Sequence, residues 1–219
     1  MRRLTISFDN GPTPGDTEKV LDALASRDVL ASFFVVGDEM AKPGARETLE
    51  RVHAAGHWLC NHTLTHGAPL GRDEDAARVA REIGMAQDLL GPLSHPDRFF
   101  RPNGEGHFGK HLLSAAAVAY LAAGGYTVVT WNNVPGDWIE PRDAWPDRAL
   151  ATMENQAWSL LVIHDFLVGP MADTLTRFID TARARGFEIV QDFPPSCTPM
   201  VRGTCGAHIV DVAMIEAAP

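Results

Sequence analysis

The chain reads as an α/β protein, a parallel barrel of seven strand–helix repeats and therefore shorter than the eightfold version. Three observations predict this. Seven short apolar runs, 4–8, 31–36, 57–60, 98–101, 126–131, 159–164 and 187–191, alternate with segments of helical period. Most of the runs are continuous rather than alternating, as expected for parallel strands covered on both faces. Polar clusters then follow the runs: Asp9 and Asn10, His62 and His66, Arg101, the stretch from Trp131 to Trp138, and His164. Ligand chemistry in such folds sits at the carboxyl ends of the strands, so these clusters are expected to converge.

The elements follow in order. The first run feeds directly into Asp9, Asn10 and a Gly11-Pro12 turn, which puts two polar side chains at a strand end. In the segment after it, Val20, Leu21 and Leu24 share one helical face. A helical stretch ending before Gly56 leads to the third run, from which His62 and His66 emerge four residues apart. On one helical turn that spacing would present both rings to one metal ion. Arg72, Asp73, Glu74 and Asp75 open the next helix, with acids at its positive end. Leu175, Phe178, Ile179 and Ala182 define the face of the last long helix. Gly56, Gly125 and Gly186 each follow a helical stretch and precede a strand, the place where glycine terminates helices. From Pro194 the pattern breaks, so 1–193 is expected to form one domain and 194–219 a C-terminal extension packed on the barrel.

Composition narrows the partners. The 219 residues carry 28 acidic and 19 basic side chains, a net charge of -9, with no Lys/Arg run. Nucleic acid and anionic membrane are therefore not expected as partners. No apolar run approaches the about 18 residues of a membrane span. Met1, Arg2 and Arg3 pass straight into a strand without an apolar leader, so a cytoplasmic location is expected. The three cysteines, Cys60, Cys197 and Cys205, are odd in number and sparse, which does not make a disulfide framework. Cys60 reads as a small core residue, while Cys197 and Cys205 are placed to pair in an oxidising compartment. None belongs to a C-x-x-C pair, so zinc held by cysteine is not expected.

An H-x-x-x-H pair is by itself a weak metal signal, because a catalytic site needs a third protein ligand. Here it stands among five motifs: Ser7-Phe8-Asp9-Asn10-Gly11-Pro12, His62-Thr63-Leu64-Thr65-His66, Phe100-Arg101-Pro102-Asn103-Gly104, Val134-Pro135-Gly136-Asp137-Trp138 and Val162-Ile163-His164. In that order and spacing the chain resembles the polysaccharide deacetylases of the NodB-homology group, carbohydrate esterase family four. The resemblance implies the distorted (β/α)7-type barrel of that group. It also implies metal-dependent removal of the N-acetyl group from an N-acetylated sugar or oligosaccharide, of chitooligosaccharide or peptidoglycan type. Position by position, Asp9 matches the general base, and His62 and His66 match metal ligands with Asn10 in the third ligand's place. Arg101 matches the residue that holds the base, His164 the general acid and Asp137 its charged partner. Trp138, Val162 and the backbone of Gly104 match substrate contacts. The implied cofactor is a divalent metal, zinc by preference and cobalt or nickel otherwise.

Elementary chemistry supports such a set independently. Amide hydrolysis needs a nucleophile near neutral pH, an electrophile for the developing oxyanion and a proton for a poor amine leaving group. A divalent metal serves the first two needs by lowering the pKa of water to about 7 and polarising the carbonyl. An imidazole kept protonated by a carboxylate serves the third. Three departures from the family pattern stand out: Asn10 replaces the metal-binding aspartate, Val134 an aspartate of the fourth motif, and Asn103-Gly104 a Pro-Tyr pair. An amide oxygen coordinates without charge, so weaker zinc affinity is expected. Three readings stay open. The chain is a deacetylase whose metal is held through Asn10, a hydrolase of small amides or cyclic ureides with weak or no metal, as in allantoinases, or a sugar-binding pseudoenzyme. Both histidines speak against the second reading. Asp9, Arg101, Asp137 and His164 together speak against the third, since binding alone needs neither base nor acid. Trp131 and Trp145 read as core or groove walls, and Glu105 and His107 as residues of a Gly-rich loop facing the pocket.

Overall fold

The computed structural model describes residues 2–215. Its parallel strands are β1 (Arg2–Asp9), β2 (Ser32–Val35), β3 (Trp58–Asn61), β4 (Phe99–Phe100), β5 (Thr127–Val128), β6 (Trp158–His164) and β7 (Phe187–Ile189), one in each of the seven apolar runs. They lie in the order β6-β1-β2-β3-β4-β5, with β7 beside β1. The sheet curls into a distorted (β/α)7 barrel with helices outside it.

β1 is the hub. One edge pairs with β6 from Arg3↔Trp158 to Asp9↔His164, a register that sets those two side chains on neighbouring strand ends. Its other edge is shared: Arg2–Leu4 pairs with β7, and Ser7–Asp9 pairs with β2. The seventh strand thus wedges in at the amino end only, and the barrel is irregular there. Closure on the far side uses one residue rather than a strand. After β5 the chain meets β6 through Asn133, whose N–H donates to Leu160 O at 3.2 Å and whose carbonyl accepts from Val162 N at 2.9 Å. Beyond residue 193, two short strands, β8 (Met200–Val201) and β9 (Thr204–Cys205), form an antiparallel hairpin on β5. Ile209, Val212 and Ala213 pack with Leu112, Leu113 and Val128.

The continuous apolar runs conceal a period of two. Leu4, Ile6 and Phe8 join Val20, Leu24, Phe178 and Ile179 of the helix layer. Thr5, Ser7 and Asp9 alternate with them and point inward, where Phe34, Cys60, Val129, Leu160 and Cys197 form a separate small cluster. Phe193 closes the amino end, its ring 4.9 Å from Phe99 and 5.7 Å from Trp58. All three cysteines are free, Cys197 buried and Cys205 exposed, so the pairing considered for an oxidising compartment is not formed. Among the described residues no helix is long and apolar enough to cross a membrane. Gly56, Gly125 and Gly186 take φ of 87°, 67° and 81°, the left-handed geometry that ends their helices.

Leu161 is 0% exposed and sits where Asn133 closes the ring. Leu161→Ala is expected to lower the unfolding free energy by about 2–5 kcal/mol in urea denaturation. Leu30→Ala, at a side chain 46% exposed, should change it by less than about 0.5 kcal/mol.

Candidate active site

Asp9 ends β1 and is almost fully buried. Arg101, which leaves β4, has no solvent exposure at all. Its Nη1 donates to Asp9 Oδ1 at 2.6 Å and to Ser7 Oγ at 2.9 Å, and its Nη2 donates to Thr130 O at 3.2 Å. The guanidinium carbon lies 3.8 Å from the Phe34 ring centroid. A buried cation persists only when its donors are satisfied and its charge is matched, and both conditions hold here. Burial alone would raise the Asp9 pKa. The charge of Arg101, then those of His62 and His164, outweigh it and hold the carboxyl below the usual range.

His62 follows β3. Its Nδ1 lies 2.8 Å from Arg101 O, and a carbonyl only accepts, so the proton resides on Nδ1 and the Nε2 lone pair is free. Burial pushes the His62 pKa down to about 4, which leaves the ring neutral at pH 7. His66 does not lie with His62 on one helical turn. Residues 62–66 form a loop with Thr63 at φ 69° and His66 at φ 50°, and the two rings approach to 5.0 Å between centroids. Side chains rather than helical hydrogen bonds hold this loop. Asn61 Oδ1 accepts from Thr63 N at 3.0 Å, and Thr63 Oγ1 accepts from His66 N at 3.1 Å. Thr65 donates through both N and Oγ1 to Glu82, at 3.0 Å each. Glu82 lies in a π-helical segment, Ala80–Met85, whose Ile83 carbonyl accepts from Asn61 Nδ2 at 2.9 Å. Sequence reasoning passed over Glu82, because an acid within a helical pattern reads as a solvated surface residue.

Asn10 takes φ 70°, and its Oδ1 is buried with no hydrogen-bond partner among the described residues. Asp9, Asn10, His62 and His66 all line a cavity of about 330 Å³. Asp9 Oδ2 stands 3.6 Å from His62 Nε2, two acceptors without a proton between them. Acceptors gathered without a donor are the arrangement that a cation resolves. Among the described residues no group of three His, Cys, Asp or Glu side chains forms a metal set. The third candidate ligand atom here is an amide oxygen. A divalent ion held by His62, His66 and Asn10 would have one ligand charge fewer than a carboxylate would give.

Opposite stands His164 at the end of β6. Its Nδ1 lies 3.0 Å from Asp137 Oδ1, and its backbone N–H donates to Asp137 Oδ2 at 2.8 Å. Burial disfavours the imidazolium, but the Asp137 hydrogen bond and charge outweigh it, helped by Asp9 and Asp165, and the pKa is raised. Nδ1–H donates to the carboxylate, which leaves Nε2 toward the cavity that His164 lines. Arg101 and Asp137 stand behind this surface, each touching the residue that lines it. Trp138, Val162, Val134, Gly104 and Trp131 complete the wall, whereas Trp145 is core. A Cβ at Gly104 would come within 2.6 Å of His107 O and 2.7 Å of Trp131, so only glycine fits. Glu105 lines the cavity and His107 does not. Asn103, in the family's Pro-Tyr position, ties the loop that carries His66 by donating to Gly67 O at 2.5 Å and His66 O at 3.2 Å.

Comparison with known proteins agrees with this architecture. The polysaccharide deacetylase family signature matches residues 1–129. A chitooligosaccharide deacetylase of Sinorhizobium fredii is 35% identical over 163 residues, 73% of this chain and 70% of that one. The Bc1960 peptidoglycan N-acetylglucosamine deacetylase superposes with a TM-score of 0.72 at 23% identity, covering 91% of this chain and 89% of the other. A mutant of BA3943, a carbohydrate esterase family four pseudoenzyme with restored enzymatic activity, superposes with a TM-score of 0.67 at 16% identity, covering 86% of this chain and 65% of that one. At these identities the two structures bear on the fold alone. The fold, the motifs and the sequence relatives agree: this chain belongs to the polysaccharide deacetylase family.

Proposed function

We propose that the protein hydrolyses the acetamido group of an N-acetylated sugar or oligosaccharide, with a divalent metal held by His62, His66 and Asn10. The observation that carries this reading is the set of donorless acceptors on residues lining one cavity, opposite an imidazole paired with a buried carboxylate. When bound, the ion supplies Lewis acidity toward the acyl carbonyl and the attacking water. Asp9, kept ionised by Arg101, takes the proton of that water. The Gly104 N–H, which has no protein acceptor among the described residues, donates to the developing oxyanion. His164, whose imidazolium form Asp137 favours, protonates the nitrogen as the C–N bond breaks, so that acetate and an amino sugar leave. Trp138, 44% exposed at the rim, and Val162 meet the sugar ring. Zinc is the proposed ion, with cobalt or nickel able to replace it. The relatives' names favour chitooligosaccharide and peptidoglycan N-acetylglucosamine as first substrates.

One observation favours a second reading, sugar binding without catalysis. Asn10 takes one negative charge from the metal set, and a pseudoenzyme shares this fold. Hydrolysis of small cyclic amides is the third outcome.

Acetate release from N-acetylchitooligosaccharides should vanish after chelation and return with zinc or cobalt. Absence of release in every metal state would overturn the deacetylase reading for these sugars. Asn10→Asp restores a ligand charge and should tighten zinc binding by about tenfold or more, near 1.4 kcal/mol, in isothermal titration calorimetry. An unchanged affinity would remove Asn10 from the ligand set. The pH profile follows from the two shifted groups. Protonated His164 is the active form and its pKa is raised, so kcat/KM should persist above the ordinary imidazole value of 6.5 and fall as pH rises through the raised one. Ionised Asp9 is active and its pKa is lowered, so the acid limb should fall below its ordinary value of 3.8. Asp137→Asn should move the alkaline limb to lower pH and reduce kcat by about 10²–10⁴-fold. An unmoved limb would show that His164 is not the acid.

A further inference from the structure

One buried carboxylate enters the chemistry above only through its charge beside His164. Asp165 follows His164 directly and is 0% exposed. Its oxygens accept from Thr17 Oγ1 at 2.5 Å, Thr13 N at 3.3 Å, Thr13 Oγ1 at 3.4 Å and Phe166 N at 2.8 Å. Thr17 Oγ1 in turn accepts from Thr13 N at 2.8 Å. The carboxylate lies against Gly11 so closely that a Cβ there would stand 2.4 Å from Asp165 Oδ2. Apart from Phe166, every donor it satisfies comes from Thr13 or Thr17. The turn from Gly11 to Thr13 begins at Asn10, a left-handed non-glycine residue at φ 70° whose buried Oδ1 has no protein partner among the described residues. Such a backbone conformation persists only where its surroundings over-determine it.

We propose that Asp165 is a positioning residue. It fixes the Gly11–Thr13 turn and through it holds Asn10, a residue of the cavity wall, locking the loop after β1 to the strand end that carries His164. A buried carboxylate suits this place because each of its neighbours is a donor. An Asn side chain would turn an NH2 group toward some of them, leaving donor against donor. The consequence for metal binding rests on the function proposed above, while the ordering of the loop does not.

Hydrogen exchange on metal-free protein separates the two. In Asp165→Asn, the amides of Asn10, Gly11 and Thr13 are expected to exchange about tenfold faster or more, with those of β2, β3 and β6 unchanged. Thr17→Val removes one donor and leaves the charge in place. It should give a smaller rise confined to the same segment, and it decides the matter if Asp165→Asn does not fold. Zinc affinity of Asp165→Asn, measured by calorimetry, should fall by about tenfold. For the zinc-loaded enzyme, kcat should fall while KM for the oligosaccharide stays within about twofold. Unchanged exchange at Asn10, Gly11 and Thr13 in the folded variants would overturn the proposal. So would an equal rise across the whole chain, which marks a loss of stability alone. If the wild-type protein binds no zinc, the metal reading fails, and the exchange pattern still decides the role of Asp165.

Discussion

Arg101 is a guanidinium without solvent, placed inside a barrel whose small apolar cluster shares the interior with Thr5, Ser7 and Asp9. Removing water from such a charge costs several kcal/mol unless an anion and further acceptors replace it. Asp9 supplies the anion, Ser7 Oγ and Thr130 O complete the shell, and the Phe34 ring supplies its electron-rich face. Much of the local architecture can be read as the consequence. The pair joins the ends of β1 and β4, which are not neighbours in the sheet, across the barrel mouth. The Arg101 carbonyl then orients His62, so one residue holds the carboxylate with its side chain and sets an imidazole tautomer with its backbone. Replacing Arg101 by a neutral residue would leave Asp9 as an uncompensated buried charge.

Around this pair the site is electrostatically divided. On one side stand acceptors: Asp9 Oδ2, Asn10 Oδ1 and His62 Nε2. On the other stands an imidazole that Asp137 biases toward its charged form. The division matches the needs of amide hydrolysis, where an electrophile and a base act on one face and an acid acts at the leaving nitrogen. Asn10 changes the balance without changing the layout. In the proposed metal set it would keep an oxygen as ligand with one negative charge fewer, which would lower cation affinity and leave a bound ion more electrophilic.

Neither side chain that completes the proposed metal set is on a regular element. Asn10 and His66 both have positive φ, and both lie on loops tied by buried carboxylates, Asp165 in one case and Glu82 in the other. The barrel thus supplies rigid strand ends for Asp9 and His164, and polar clamps supply the rest. Glu82 works from a π-helical segment, whose Ile83 carbonyl accepts both from Ala86 N and from Asn61 Nδ2.

Seven strands, their parallel class and the terminating glycines were legible in the sequence, because period and glycine placement are local properties. So was the set of residues that converges on the cavity, because strand ends in a parallel barrel face one way. Strand lengths were less legible. The run 126–131 yields only Thr127–Val128 as strand, since Asn133 leaves to close the ring on β6. The pairing of β7 with the amino end of β1 alone, the inward alternation of Thr5, Ser7 and Asp9, and the loop that replaces a helical turn at 62–66 were decided by tertiary contacts. The same holds for Glu82 and Asp165, whose acidic side chains look like surface residues in sequence. Motif and period are set by residues near one another along the chain. The burial of a charge and its partners are set by groups far apart, Arg101 with Asp9 or Asp165 with Thr17, which meet only when the barrel closes.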